Sequence, residues 1–346
     1  MTRRGLQTCL VMVLAACVRA PPQPAPAQPA PRVVAPVVAS APVVAPVQTP
    51  PAAPPPEVEA LLGRMTLEDK VGQLMMVGFA GKAVDPAITG LVRGYRVGGV
   101  CVFGRNIASA QQIGRLNDEV RALLSDTVPP FIAVDQEGGN VVRLSDGNLV
   151  LPGNMVLGAA RQPELAYEAG LAQGEDLHRL GFNMNLAPVL DVNSNPLNPV
   201  IGIRAFGDDV ALVSELGARF VAGQQDAHIV TVAKHFPGHG AVDADSHKSL
   251  PIVRAPLLQV REQLKPFEAA MEAGLDGLMT AHIATPTLTG DELPATLSSR
   301  VLGGVLRDEL HFKGLVITDE LEMDAIDRRF GVGRAAVLAI NAGADM

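Results

Sequence analysis

Between Lys234 and His247 the chain gathers one lysine, three histidines and two aspartates. Lys234, His235, Phe236, Pro237, Gly238, His239 and Gly240 run consecutively, and Asp243, Asp245, Ser246 and His247 follow. Histidine changes charge near neutral pH, so such a group can pass protons or, where its members converge, hold a metal ion. Pro237 and the glycines beside it prevent a regular helix through the middle, so the stretch reads as a loop, and titratable residues collected on a loop mark a site. A second concentration of carboxylates, Asp319, Glu320, Glu322 and Asp324, begins where the apolar run Leu315 to Thr318 ends.

These residues need elements to position them. Beyond Glu57, short apolar runs alternate with segments of helical period. The runs are Leu74 to Phe79, Gly99 to Phe103, Phe131 to Val134, Phe182 to Leu190, Ile229 to Ala233, Gly277 to Ala281 and Leu315 to Thr318. Between them, Ile113, Leu116, Val120 and Leu123 step by three and four, as do Val213, Leu216 and Phe220, with Asp208 and Asp209 placed to cap the second helix. Strand and helix repeated this often predict an α/β fold with a parallel sheet. Polar residues stand at the C-terminal ends of several runs: Asp135, Asp191, Lys234 with His235, His282 and Asp319. A ring of contributions from many strands favours a (β/α)8 TIM-type barrel over an open doubly wound sheet, and no dinucleotide-type glycine fingerprint argues the other way. Ala342 to Met346 reads as the entry to an eighth strand, so the barrel is expected to be cut off at that point.

The first 56 residues are of another kind. Arg3 and Arg4 precede an apolar run from Leu10 to Ala16, too short to span a bilayer and typical of a signal-peptide core. Leu14, Ala15, Ala16 and Cys17 resemble the lipobox of bacterial lipoproteins, which implies a signal peptide over 1–16 and lipidation at Cys17. Residues 17–56 are dominated by Pro, Ala and Val and read as an extended spacer ahead of one large domain over 57–346. A net charge of -8 without a basic cluster excludes nucleic acid as a partner. After the spacer only Cys101 remains as a thiol, inside an apolar run, so a disulfide framework is excluded and a buried inert thiol is expected.

The stretch Lys234 to Gly240, with Asp245, Ser246 and His247 downstream, resembles the signature of the single-domain β-N-acetylglucosaminidases of glycoside hydrolase family 3. Val134 to Leu144, Leu186 to Asn193, Asn198 to Gly207 and Ile317 to Ala325 agree with it in order and approximate spacing. The resemblance implies retaining exo-hydrolysis of terminal β-linked N-acetylglucosamine through a covalent glycosyl-enzyme, with peptidoglycan fragments or related oligosaccharides as the natural substrates. It implies Asp319 as nucleophile, His247 as acid and base, and Asp245 as the carboxylate orienting His247. It also implies Asp135, Arg143, Arg204, Lys234 and His235 as ligands of the sugar hydroxyls. No metal and no organic cofactor are expected. The expected setting is a monomer tethered by lipid to the membrane in the bacterial cell envelope, on the periplasmic or extracellular face.

Other readings of the same residues stay open from the sequence. Asp319 could be the N-cap of the following helix, with Glu320, Glu322 or Asp324 as the nucleophile. Arg143 and Arg204 could be structural ion-pair partners, Asp191 a carboxylate that holds loops, and His239 a shaper of its loop. His282 could line the pocket, whereas His178, His228 and His311 are expected on helices. A metal-dependent hydrolase using His235, His239, Asp243, Asp245 and His247, a family 3 β-glucosidase or phosphorylase, and a non-catalytic glycan-binding lipoprotein are the competing functions.

Overall fold

The computed structural model describes residues 54–346 apart from 125–127 and 146. The expected signal peptide, Cys17 and nearly all of the spacer lie outside these residues. Helix begins at Pro56, in Pro56–Arg64, because proline's fixed φ suits the first helical turn and its missing N–H costs nothing there.

Seven parallel strands follow in strict sequential order: β1 Met76–Gly78, β2 Gly99–Val102, β3 Phe131–Val134, β4 Met184–Asn185, β5 Val230–Phe236, β6 Gly277–Thr280 and β7 Leu315–Thr318. Helices connect them on the outside, as the alternation requires. The period-2 geometry of a strand sorts the side chains. Val100, Val102, Ile132 and Val134 pack outward into a cluster with the helix residues Ile113, Leu116 and Val120. The intervening Cys101 and Ala133 point inward and meet Met184, Val232, Met279, Ile317 and Met346. A cluster joining residues from β2 through β7 with Met346 is possible only if the sheet curls upon itself, so the architecture is that of a TIM-type (β/α)8 barrel. Asp345 N and Met346 N donate to Val316 O and Thr318 N donates to Met346 O, which pairs the last two residues with the outer edge of β7.

The helix Val210–Asp226 shows how these elements are specified. Asp209 accepts from Ala211 N at 2.9 Å and Leu212 N at 3.3 Å, satisfying two of the N–H groups left open at a helix start. Val213, Leu216 and Phe220 then bury one stripe against the sheet.

Three expectations need correction. The run Phe182 to Leu190 is not one strand: ladder pairing stops after Asn185, and Pro188, which has no N–H to donate, separates it from a lone bridge between Val189 and Lys234. β5 extends to Phe236, past the apolar run that ends at Ala233: Lys234 and His235 close the strand as their place at its end implies, and Phe236, expected in the loop, is strand as well. His228 and His311 lie just beyond helices, exposed and with left-handed backbone, whereas His178 is helical.

Candidate active site

The C-terminal ends of β3, β5 and β7 bring together the polar residues that the sequence scatters over nearly two hundred positions. β5 is the centre of the group. Its pairing with β6 shifts register between Ala233 and Phe236, a bulge of the kind that re-aims side chains, and both Lys234 and His235 engage site residues.

Lys234 Nζ lies 2.6 Å from Asp135 Oδ1 and 2.7 Å from Glu137 Oε1. Glu137 also receives Arg204 through two parallel bonds, Nε to Oε2 and Nη2 to Oε1, each 2.8 Å. This is the bidentate fork geometry that makes arginine–carboxylate pairs strong. Burial would raise Glu137, but Lys234 and Arg204 outweigh it and hold the carboxyl near pKa 2. Burial would likewise lower Lys234, and Asp135 and Glu137 reverse that, so the ammonium stays charged in a site from which water is nearly excluded. Arg143 Nη2 stands 3.6 Å from the other oxygen of Asp135, its side chain 29% exposed and its buried Nε without a partner among the described residues. The Arg143 segment is held by Gln136, whose Oε1 accepts from Arg143 N and Leu144 N at 2.9 and 3.1 Å.

Behind this layer, Asp191 organises two histidines. Its Oδ2 is 2.6 Å from His235 Nδ1, and its Oδ1 accepts His239 N at 2.6 Å. Asp191 is fully buried, and the two histidines keep its carboxyl low against the opposing effect of burial. With Nδ1 turned toward Asp191, His235 Nε2 faces Arg204 Nη2 at 3.4 Å. Burial, together with the nearby His235, drives the His239 pKa down to about 4, so that ring is neutral at neutral pH. Its Nε2 meets Ser246 Oγ at 3.0 Å, both residues being buried.

Ser246 is the inward-facing residue of the loop after β5, and its neighbours face out. His247 is 62% exposed on its side chain, and Asp245 Oδ1 receives both its backbone N and its ring Nδ1 at 2.9 Å. One oxygen thus fixes the tautomer and orientation of the imidazole and leaves Nε2 toward solvent and incoming ligand. Gly240 is required where the loop leaves β5, because a Cβ there would meet Val192 O at 1.8 Å.

Asp319 follows β7 directly. It does not cap the next helix, Asp324–Phe330, whose N-cap is Met323. Its Oδ1 accepts Glu320 N at 2.8 Å and, unlike Asp135, Glu137 and Asp191, it forms no ion pair among the described residues. Burial would raise it, yet the nearby His282 and His235, together with Glu320 N–H and Lys234, hold it below the ordinary carboxylate value. An ionised carboxylate at a strand end, with no ion pair among the described residues, is suited to nucleophilic attack, and a histidine–carboxylate dyad is suited to proton transfer. Glu320 is shifted the opposite way, upward, by burial and by the like charges of Glu322 and Asp319.

The structure therefore gathers Asp135, Arg143, Arg204, Lys234 and His235 into one connected group, with Asp319 beside it and Asp245 and His247 on the overhanging loop. Glu137 and Ser246 carry no assignment in the sequence reading. Glu137 stands out only once the fold brings Lys234 and Arg204 to it, because a buried ammonium shared with Asp135 and a buried guanidinium need a second carboxylate. His235, His239 and His247 are each engaged by a separate partner, and among the described residues no three His, Cys, Asp or Glu side chains converge as a metal centre. Cys101 is buried, and burial with the nearby Asp135 pushes its thiol pKa up, away from the reactive thiolate.

Residues 66–346 match the model of the glycosyl hydrolase family 3 N-terminal domain. A β-hexosaminidase from Alkalilimnicola ehrlichii is 39% identical over 283 residues, covering 80% of this chain and 80% of that protein. β-Hexosaminidase A from Pseudoalteromonas piscicida is 36% identical over 282 residues, and there the match covers 76% of this chain but about half, 47%, of the relative. Among solved structures, a glycoside hydrolase family 3 β-N-acetylglucosaminidase from a Paenibacillus species superposes with a TM-score of 0.80 at 48% identity, covering 82% of this chain and 54% of that one. With the family's domain matched from Thr66 to the last residue and its barrel architecture present in the fold, the chain belongs to glycosyl hydrolase family 3.

Proposed function

We propose that the protein is a retaining, exo-acting β-N-acetylglucosaminidase. The observation that carries this reading is Asp319: a carboxylate held ionised at a strand end, free of any ion pair among the described residues, with the Asp245–His247 dyad on the loop above. Retention needs a carboxylate that attacks the anomeric carbon and a second group that protonates the leaving oxygen. Asp319 forms the carbon–oxygen bond to the sugar as the glycosidic bond breaks, and His247, protonated at the outset, gives its proton to the departing oxygen. The neutral imidazole then takes a proton from water, the water oxygen attacks the same carbon, and the carboxylate is released. Asp245 stabilises the imidazolium without itself taking the proton.

Asp135, Arg143, Arg204, Lys234 and His235 bind the hydroxyls of the terminal sugar. Glu137, held under Lys234 and Arg204, keeps both cations in place, so these two positions combine structural and ligand roles. The named relatives, β-hexosaminidases and a β-N-acetylglucosaminidase, support N-acetylglucosamine as that sugar. Peptidoglycan fragments are the proposed natural class, with the enzyme acting as a monomer in the bacterial cell envelope through a lipid on Cys17. The sequence features that support this setting are the Leu14 to Cys17 lipobox and the Pro/Ala spacer.

Hydrolysis of aryl β-N-acetylglucosaminide and aryl β-glucoside by the full chain, each with and without inorganic phosphate, tests the reading. Release from the first substrate alone, with free sugar as product in both buffers, is expected. Preference for the glucoside, or a glycosyl phosphate as the main product, would replace it with one of the other family 3 activities.

A further inference from the structure

His282 stands at the end of β6, fully buried, and no step of the proposed reaction uses it. Its ring has two partners of different kinds. Nε2 faces Glu320 O at 3.0 Å, and Nδ1 faces Thr296 Oγ1 at 2.8 Å. A carbonyl oxygen only accepts, so the Nε2 position carries the proton. Burial disfavours the imidazolium and lowers the pKa. The single Thr296 hydroxyl proton lies within reach of two acceptors, His282 Nδ1 and Ala281 O at 3.0 Å. Thr296 Oγ1 in turn accepts from Thr280 Oγ1 at 2.9 Å. The chain continues beyond the ring, because the peptide whose carbonyl His282 binds belongs to Glu320, whose own N–H donates to Asp319 Oδ1 at 2.8 Å. Asp319 N donates back to Thr280 O at 3.3 Å and closes the circuit.

We propose that His282 is a positioning residue for Asp319, fixing through the Glu320 carbonyl the backbone segment whose N–H holds the attacking carboxylate. The proposal rests on the reading of Asp319 as nucleophile. The bond on which the proposal turns has one possible direction: Glu320 O can only accept, so His282 Nε2 donates to it. Without the ring, the hydrogen bond left between residues 319–320 and β6 among the described residues is the long Asp319 N to Thr280 O bond. The carboxylate is then free to rotate away from the line of attack. The titratable neighbours of His282 are Asp319, His235 and His247, while the ring's hydrogen-bond partners among the described residues are Thr296 and Glu320.

The test is the rate of covalent trapping by an activated fluorosugar of the N-acetylglucosamine series, in which the carboxylate–carbon bond forms as fluoride leaves, followed by peptide mapping of the label. In the wild-type chain the label is expected on Asp319. His282→Ala should slow trapping by on the order of 10²-fold, the loss typical of a misplaced reacting group. His282→Gln, whose side-chain amide can still donate to Glu320 O, should recover most of the rate. The Kd for free N-acetylglucosamine should stay near the wild-type value in both variants, which a general loosening of the site would not allow. Wild-type trapping rates in His282→Ala, with the label on Asp319, would overturn the proposal while leaving the nucleophile intact. A label on any other residue would overturn both. Should His282→Ala not fold, Thr296→Val carries the test: a loss of roughly tenfold, about one buried hydrogen bond, supports the circuit, and no loss overturns it.

Discussion

Glu137 sits between Lys234 and Arg204, 2.7 Å from the ammonium and 2.8 Å from two guanidinium nitrogens, with its side chain 1% exposed. One buried carboxylate thus pairs with two cations at the sugar site, and Asp135 supplies the second negative charge. Removing a single partner from such a cluster is more damaging than never having built it, because the remaining charges stay buried without compensation.

Glu137→Gln should therefore cost about 3 to 5 kcal/mol of stability at neutral pH and most of the activity. The folded pKa is near 2 and the ordinary value 4.5, so the carboxylate's contribution is complete above about pH 4.5 and lost as the pH falls towards 2. Thermal melts of both proteins from pH 7 to pH 2.5 check this: the gap in Tm should narrow as the medium becomes acidic. A gap that is constant or widens on acidification would mean the Glu137 ion pairs are not its origin.

His247→Ala should lower the rate of the glycosylation step on poor leaving groups by about 10² to 10⁴-fold and spare activated aryl leaving groups, which depart without a proton. Single-turnover rates on a series of aryl and alkyl β-N-acetylglucosaminides make the comparison. An equal loss across the series would count against acid catalysis by His247.

Ser246→Ala removes the buried bond by which the loop is held to His239. With Asp245 and His247 on either side of Ser246, the dyad should lose its fixed height over β7, giving a milder version of the His247→Ala pattern, about three- to tenfold on poor leaving groups. Ser246→Thr, which keeps the hydroxyl, should stay near wild type. If alanine and threonine behave alike, the hydroxyl is not the anchor.

Asp319→Ala should abolish turnover on every substrate, activated or not, because the nucleophile acts before either leaving group is gone. Substantial residual kcat with an activated aryl substrate would move the nucleophile elsewhere, Glu320 and Glu322 being the nearest carboxylates in the chain.

The seven strands are readable from the sequence because barrel strands are covered on both faces, so each shows as a short apolar run bounded by polar strand ends. The error at Phe182 to Leu190 arises where that rule is weakest: an apolar run crosses Pro188, and hydrophobicity continues where hydrogen bonding cannot. Asp135, Lys234 and His235 are legible because a polar residue at the end of an apolar run is unusual in itself. Glu137 is not, since its importance comes from Arg204, which the topology brings to it across 67 positions. His282 is a similar case: its partners lie 14 and 38 residues away, and only the neighbouring of β6 and β7 shows that the ring addresses the peptide after Asp319. Ser246 is visible as part of a motif, but its inward direction depends on how the loop folds back over His239.

The configuration of the first sugar released tests the account most directly. When the full chain hydrolyses an aryl β-N-acetylglucosaminide and the reaction is followed by proton NMR from its first minutes, double displacement through Asp319 predicts β-N-acetylglucosamine first, with the α-anomer appearing only at the rate of mutarotation. Initial release of the α-anomer would contradict a covalent glycosyl-enzyme on Asp319.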